Sequence, residues 1–530
     1  MRGGKAVWIL LGLALYAFVL FKAWQFPQTR LLPYYAIASL SRLIMTYFIC
    51  LAFGLAVGIF AAMNQRAGDI IIPLLDIAQS VPVLAVFPFA ILFIVPVFGM
   101  TTATVIALFM SMAWSIVFGV IAGVKAIPQH MHDMAAIFGL RRMAYIKHVV
   151  LPSIYPPLIA GSILSFGSGW YFLIASEYIT YGTTTYHLEG LGYYLNLASF
   201  HYANLWMSLA GLMTIAIVVL SIHHLVWKRL DQNSKQARFL NLHFGYEKGF
   251  DLPLHHLEQH PHHRVHFNRR HAHQWFFNLF KFNPTVYIIA LAIALVAGFI
   301  ITWTMGEGVI YPPLEVLLFL LLSASRIALA YIFAFILAVL AGYLLIRKPR
   351  TRRYLMPIAD VMQSIPAIAY FPTLFLLLVS VVPVWLGMPV ASILLLMTGM
   401  LWYMLFNIIE AVEHLPHDIN EIADLYDIEG VAYIKNILVP AMFPALVTGS
   451  ILAFGGGWNA IIVSEYVTYA GKVYSTPGLG SAMNYATINV GNTPTLLMLL
   501  FVMTTTILLL NHFVWRRLLN RASKYVLEDE

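Results

Sequence analysis

Apolar runs of about twenty residues, parted by short polar stretches, recur along the chain. Twelve can be placed, near 7–25, 43–63, 78–97, 102–124, 157–179 and 205–227, then 284–304, 317–346, 361–384, 389–412, 445–468 and 495–515. A helix rises about 1.5 Å per residue, so roughly 20 apolar residues cross the hydrocarbon of a bilayer. Barrel strands would instead alternate apolar and polar positions over about ten residues. The pattern therefore predicts an all-α polytopic membrane protein of about 12 transmembrane helices. The run at 317–346 is long enough to tilt or to project beyond the membrane.

The polar stretches repeat as regularly as the apolar ones. DIAQSVPVLAVFP (76–88) recurs as DVMQSIPAIAYFP (360–372), and AYIKHVVLPSIYPPLIAGSILSFGSGW (144–170) as AYIKNILVPAMFPALVTGSILAFGGGW (432–458), with 15 of 27 positions identical. The match continues through IASEYITY (174–181) and IVSEYVTY (462–469), then GLG at 190–192 and 478–480. The chain thus divides into a first repeat (1–228), a His-rich linker (229–283) and a second repeat (284–530). An even number of spans in each half gives both the same orientation, related by a pseudo-two-fold axis along the membrane normal. Any apolar residue serves against lipid. Recurrence of polar and small residues therefore points to shared machinery.

Composition agrees with the spans. Of the 530 residues, 61% are hydrophobic and 10% charged, and the mean hydropathy is +0.80. Soluble domains carry roughly 25% charged residues. The lone Cys50 permits no disulfide framework. No small-residue cleavage site follows MRGGKAVWILLGLALYAFVLF, so this segment is expected to stay as the first span rather than leave as a signal peptide.

The net charge of +8 describes topology rather than a nucleic-acid partner. Arg66, Lys125, Arg141, Arg142 and Lys147, nine Lys/Arg from Lys228 to Lys281, the cluster RKPRTRR (347–353), Lys435, Arg516, Arg517, Arg521 and Lys524 all fall on one side. The loop at 180–204 has none, and 469–494 has only Lys472. Positive charge accumulates on the cytoplasmic side, which places both termini there, in a cell (inner or plasma) membrane.

One charged passage interrupts each half before its fifth span: DMAAIFGLRRMAYIKHVVLPSIYP (133–156) and EIADLYDIEGVAYIKNILVPAMFP (421–444). Ala135, Ala136 and Gly139 would leave one face of a short helix smooth, with Asp133 near its start, where a negative side chain suits the helix dipole. A charged, small-faced helix at the membrane surface suits docking into a groove of another protein.

This passage resembles the E-A-A, three residues, G, nine residues, I-x-L-P loop of the inner-membrane permeases of binding-protein-dependent ABC importers. The first copy keeps Ala135, Gly139, Leu151 and Pro152, with Asp133, Met134 and Val149 as departures. The second keeps Glu421, Ala423, Ile437 and Pro440, with Ile422, Asp427 and Val439 as departures. Ser41–Arg42 and Ser325–Arg326, the Ser-x-Pro entering the third span, G-x-G-W followed by S-E-Y in the fifth, and the G-L-G are most similar to the nitrate, sulfonate, taurine and bicarbonate permeases. Those are usually single six-span subunits that pair, whereas this chain resembles a fused pair with the type I permease fold. The resemblance implies ABC ATPase subunits, two of them, docked on Asp133, Ala135, Ala136 and Gly139 and on Glu421, Ala423 and Asp427. It also implies an extracytoplasmic solute-binding protein. The chain has no G-x-x-x-x-G-K-[ST], so ATP and Mg are expected on the partner, and this chain is expected to be a pore rather than an enzyme.

Other residues are candidates for the translocation path. Glu177 and Glu465 lie about twenty residues, roughly 30 Å, beyond Pro156 and Pro444. An intramembrane acid normally faces a cavity or a partner. Each either frames an outer gate or is hydrogen-bonded to Tyr178 or the G-L-G loop, and two carboxylates in an anion path would repel its cargo. GSGW (167–170) and GGGW (455–458) suit close helix packing, with Trp170, Trp458 and Asn459 left to line the path. Gln79 and Ser80, with Gln363 and Ser364, sit at breaks made by Pro82 and Pro366. There they either satisfy freed backbone groups or meet solute. The linker holds nine of nineteen histidines, including HHLEQHPHH (255–263), but matches no zinc module, so no metal site is assigned. The expected function is import of a small anion such as nitrate, a sulfonate or bicarbonate. A metal-ion ABC importer and an ion-gradient-driven secondary transporter are the alternatives.

Overall fold

The computed structural model describes residues 2–140, 142–181, 184–232, 296, 300, 310–347, 359, 362, 365–413, 425, 426, 428, 430–469 and 472–522. Among these residues the chain is overwhelmingly helical, and eight helices are long and apolar enough to cross a membrane. They are Leu32–Met63, Val95–Lys125, Met143–Ser176, Leu205–Gln232, Pro313–Leu345, Trp385–Ile409, Phe443–Ser464 and Thr493–Leu519. The expected first span falls on the helix Arg2–Ala23. The one expected at 284–304 lies, but for Val296 and Ile300, outside the described residues.

Two of the expected twelve spans are not full crossings. The run at 78–97 breaks at Pro82: one helix, Gln65–Ser80, ends there, and an 11-residue helix, Val83–Phe93, begins. Pro82 forces Val81 out of the helical region (φ −76°, ψ 122°) and has no N–H to continue the ladder. Pro366, itself extended (φ −58°, ψ 131°), stands directly before the 15-residue helix Ala367–Val381. Eleven residues reach only about 16 Å, half of a bilayer's hydrocarbon. The apolar pattern measured continuous hydrophobicity; the prolines decided where the helix stops. The overlong run at 317–346 is the single helix Pro313–Arg347 of 35 residues.

Two short antiparallel hairpins, which helix periodicity does not show, follow the fifth span of each half. They pair Tyr178–Tyr181 with Thr184–His187, and Tyr466–Tyr469 with Lys472–Ser475. Wide, five-residue turns also sit at matching places in the halves, at Ile146–Val150 and Ile434–Leu438 among others. Each stands just before a proline (Pro152, Pro440) that would clash with the carbonyl four residues earlier. The Leu151 N–H reaches back five residues to Ile146 O, and Val439 N–H to Ile434 O.

Each half has its own apolar core, around Leu43, Met112, Trp170 and Tyr194 in the first and around Ile327, Met400, Trp458 and Met503 in the second. The broken helices cross between them. Ile368 and Ala369 of the second half lie in the first core, and Leu84 and Phe89 of the first pack on the second. Inside the first half, the helices Val95–Lys125 and Leu151–Ser176 touch nearly backbone to backbone. A methyl on Gly119 would meet the Pro157 carbonyl, and one on Gly161 the Ser115 carbonyl. Small residues at such crossings let dispersion and close packing replace the absent hydrophobic drive in lipid. Gly161→Leu is therefore expected to destabilise the first half by about 1–3 kcal/mol or more, seen as a lower unfolding temperature of the detergent-purified chain.

Candidate functional site

At one end of the bundle, the loop after the fourth span of the first half forms the helix Gln129–Ile137. The helix stops in a tight C-cap: Gly139 N donates to Ala136 O at 3.1 Å and Leu140 N to Ala135 O at 2.9 Å, with Gly139 at φ +63°. That left-handed position is why a glycine stands there, since a side chain is strained in it. Ala135 turns inward, buried against Val120, Val124, Val149 and Ile154, so its small size serves attachment to the body of the protein. Asp133, Ala136 and Gly139 are exposed. Around them Ile137 and Phe138 stand 75% and 62% exposed, and Met143 76%. The Tyr145 hydroxyl meets His132 Nδ1 at 2.8 Å and holds the helix to the chain that follows.

In the second half, Glu421, Ala423 and Asp427 lie outside the described residues. The described residues that follow in the chain differ from the first copy. The left-handed glycine is Gly430 (φ +56°), and its N–H donates to the Tyr343 hydroxyl at 3.1 Å. Leu425, Tyr426 and Val431 are exposed at 77%, 70% and 79%, an apolar surface like that of Ile137 and Phe138.

At the opposite end, the helix Leu151–Ser176 stops at Glu177, whose carboxylate is completely enclosed. Ser39 Oγ donates to Oε1 at 2.6 Å, Arg42 Nη1 donates to the same oxygen at 2.8 Å, and Gly192 N donates to Oε2 at 2.7 Å. Ser39 Oγ also accepts from Leu191 N at 2.8 Å, and Arg42 Nη2 donates to Glu189 O at 2.8 Å. The second half repeats this. Glu465 accepts from Ser323 (2.7 Å), Arg326, and the amides of Gly480 (2.8 Å) and Ser481 (3.3 Å). Arg326 also reaches Thr476 Oγ1 (2.8 Å) and Pro477 O (2.7 Å). The hydrogen bond to the G-L-G loop that the sequence allowed is present in both halves, and neither carboxylate offers a free oxygen to a passing solute. Gly190 and Gly478 pack directly on these carboxylates, and a methyl at either would collide with them.

Ser39 and Ser323 were missed in favour of Ser41 and Ser325, whose exposed hydroxyls donate to backbone carbonyls of the preceding turn. A signal existed: both copies read S-x-S-R.

The remaining candidates scatter. Trp170 and Trp458 are 2% exposed, each within the core of its own half, and their indole N–H groups have no partner among the described residues. Gln79 is exposed at the end of its helix. Ser80 ends the same helix, and Gln363 and Ser364 lie outside the described residues. Asn459 meets the other half: Val83 N, freed by the Pro82 break, donates to Asn459 Oδ1 at 3.0 Å. Tyr171 stands at the corresponding position of the first half.

The model of the family described as "binding-protein-dependent transport system inner membrane component" matches this chain twice, at residues 54–230 and 334–524. The chain belongs to that family. Among curated members, the taurine transport system permease protein of Escherichia coli is 28% identical over 182 residues, 34% of this chain and 62% of that protein. The bicarbonate transport system permease protein of Synechococcus elongatus is 27% identical over 159 residues, 30% of this chain and 54% of that protein. The nitrate import permease protein of the same organism is 26% identical over 158 residues, 30% and 53%. This member of the family spans between half and two thirds of the length of these three relatives, and carries the family's domain in two copies.

Removing one partner of a buried ion pair strands the other charge, at a cost of about 3–5 kcal/mol. Arg42→Met and Arg326→Met are each expected to lower stability by that order, and Gly190→Ala to do so through its collision with Glu177. Thermal unfolding of the purified variants in detergent checks all three.

Proposed function

We propose that this chain is the fused membrane component of an ATP-driven importer for a small anion of the taurine, bicarbonate or nitrate class. The observation that carries the reading is the pair of family domains in one chain. It is supported by an exposed apolar ledge (Ile137, Phe138, Met143; Leu425, Tyr426, Val431) beside the E-A-A-like loop of each half. Apolar area of that kind at a charged membrane surface marks a protein interface. Two ATPase subunits, which bind the ATP and Mg, would dock there, one per half. Asp133, Ala136 and Gly139 would face the first, and Glu421, Ala423 and Asp427 the second. Ala135 would hold the first handle to the bundle.

Both termini are then cytoplasmic, as the basic ends of the spans favour, and the hairpin end faces the solute-binding protein. The path runs at the interface of the halves, where Asn459 and Gln79 have access to it. Glu177 and Glu465 frame it without repelling an anion, because Arg42 and Arg326 offset their charge at contact distance. Anionic cargo also fits the names of the taurine, bicarbonate and nitrate relatives.

Mild solubilisation should bring down ATPase subunits in a two-to-one ratio to this chain. Uptake driven by a proton or sodium gradient without ATP would instead identify a secondary transporter. Phe138→Asp is expected to reduce ATPase retention about tenfold, a loss of roughly 1.4 kcal/mol, measured by pull-down. A bulky residue at Gly139 is expected to leave ATP hydrolysis running while uptake stops, since it alters the cap of the handle rather than the motor.

A further inference from the structure

The two buried carboxylate clusters make a mechanical statement, which rests on the importer reading. Glu177 gathers three elements: the helix that ends in it, the helix Leu32–Met63 through Ser39 and Arg42, and the G-L-G turn through Gly192. Ser39 joins the last two a second time through Leu191 N. Both carboxylate oxygens are committed where no water reaches, so sliding any one element breaks charge-assisted bonds that nothing replaces. Between the halves the contacts are of another kind. Among the described residues they include apolar packing around Ile368, Ala369, Leu84 and Phe89, Phe200 against the core around Phe375 and Val467, and a neutral hydrogen bond from Val83 N to Asn459 Oδ1.

We propose that Glu177, Arg42 and Ser39, and likewise Glu465, Arg326 and Ser323, are positioning residues that make the second span, the end of the fifth span that carries the glutamate, and the G-L-G turn of each half one rigid block. Access then alternates by movement between the two blocks, not within either. Bending of the fifth span falls toward its other end, at the wide turn Ile146–Val150 and the prolines Pro152, Pro156 and Pro157, where backbone bonds are already missing.

The test uses the complex purified with its ATPase subunits, in a Cys50→Ser background, carrying spin labels on exposed positions. The hairpins count with the blocks, since Leu188 N and Thr476 N bond the carbonyls of Glu177 and Glu465. Ile37→Cys with His187→Cys then reports within the first block, and His187→Cys with Ser475→Cys reports between blocks. Distances are measured by pulsed electron resonance without nucleotide and after trapping with ATP and vanadate. The expected result is an unchanged distance within the block and a changed distance between blocks. Adding Arg42→Met should let the inner distance change as well, and should lower the stimulation of ATP hydrolysis by the binding protein about tenfold. Arg42→Lys should restore part of both.

A change within the wild-type block on trapping overturns the proposal. So does a fixed distance between blocks in a complex that hydrolyses ATP, or an assembled Arg42→Met complex with normal stimulation. The wild-type label pair decides even where Arg42→Met fails to assemble. A chain that binds no ATPase and takes up solute on an ion gradient overturns the importer reading, and this proposal with it.

Discussion

A carboxylate at the end of an apolar helix cannot be left bare at a membrane. Lipid offers it no hydrogen bond, and protein of low dielectric penalises its charge. Much of the hairpin end of this molecule is arranged to meet that constraint. One serine and one arginine from the second span, and an amide from a glycine turn, converge on Glu177. The same three kinds of donor converge on Glu465. The glycines at 190 and 478 are dictated by it, because only a residue without a side chain lets backbone lie on a filled carboxylate. The hairpins then start from a held point, with Leu188 N and Thr476 N bonding the carbonyls of Glu177 and Glu465.

The opposite end is organised by a different economy. There the backbone is interrupted repeatedly, by a left-handed glycine, a wide turn and prolines, and apolar side chains stand out toward solvent. Such a surface is expensive for a lone chain and sensible for one with a partner. On the proposed reading, a rigid end and an articulated end joined by the fifth span would work as a lever. The halves are not identical. Gly139 caps the helix Gln129–Ile137, whereas the sequence of the second half has Asp427 at that register and the left-handed glycine is Gly430, whose N–H meets the Tyr343 hydroxyl. Across the interface, Asn459 caps the break at Pro82, while the corresponding Tyr171 brings a phenol instead of an amide.

Helical spans, the duplication and the loop of 133–156 were legible because each rests on local regularity: run length, recurrence and fixed spacing. Legibility failed where a long-range partner decides the outcome. Glu177 and Glu465 stood out as acids among apolar residues, yet whether they met solute or protein depended on Ser39 and Ser323, which lie more than 130 residues away in sequence. Ala135 and Ala136 were indistinguishable as small residues on one helix, and only packing against Val120 and Val150 turned the first inward. The runs at 78–97 and 361–384 were apolar enough to span, and the prolines inside them made short crossing helices instead.

By itself, then, the sequence determined that this is a twofold-repeated helical membrane protein with a paired charged loop, because hydrophobic periodicity and repetition are properties of neighbours along the chain. The tertiary structure decided which polar groups are spent on holding the fold and which remain free to act. That division depends on burial and on donors brought from distant segments, which no local pattern records.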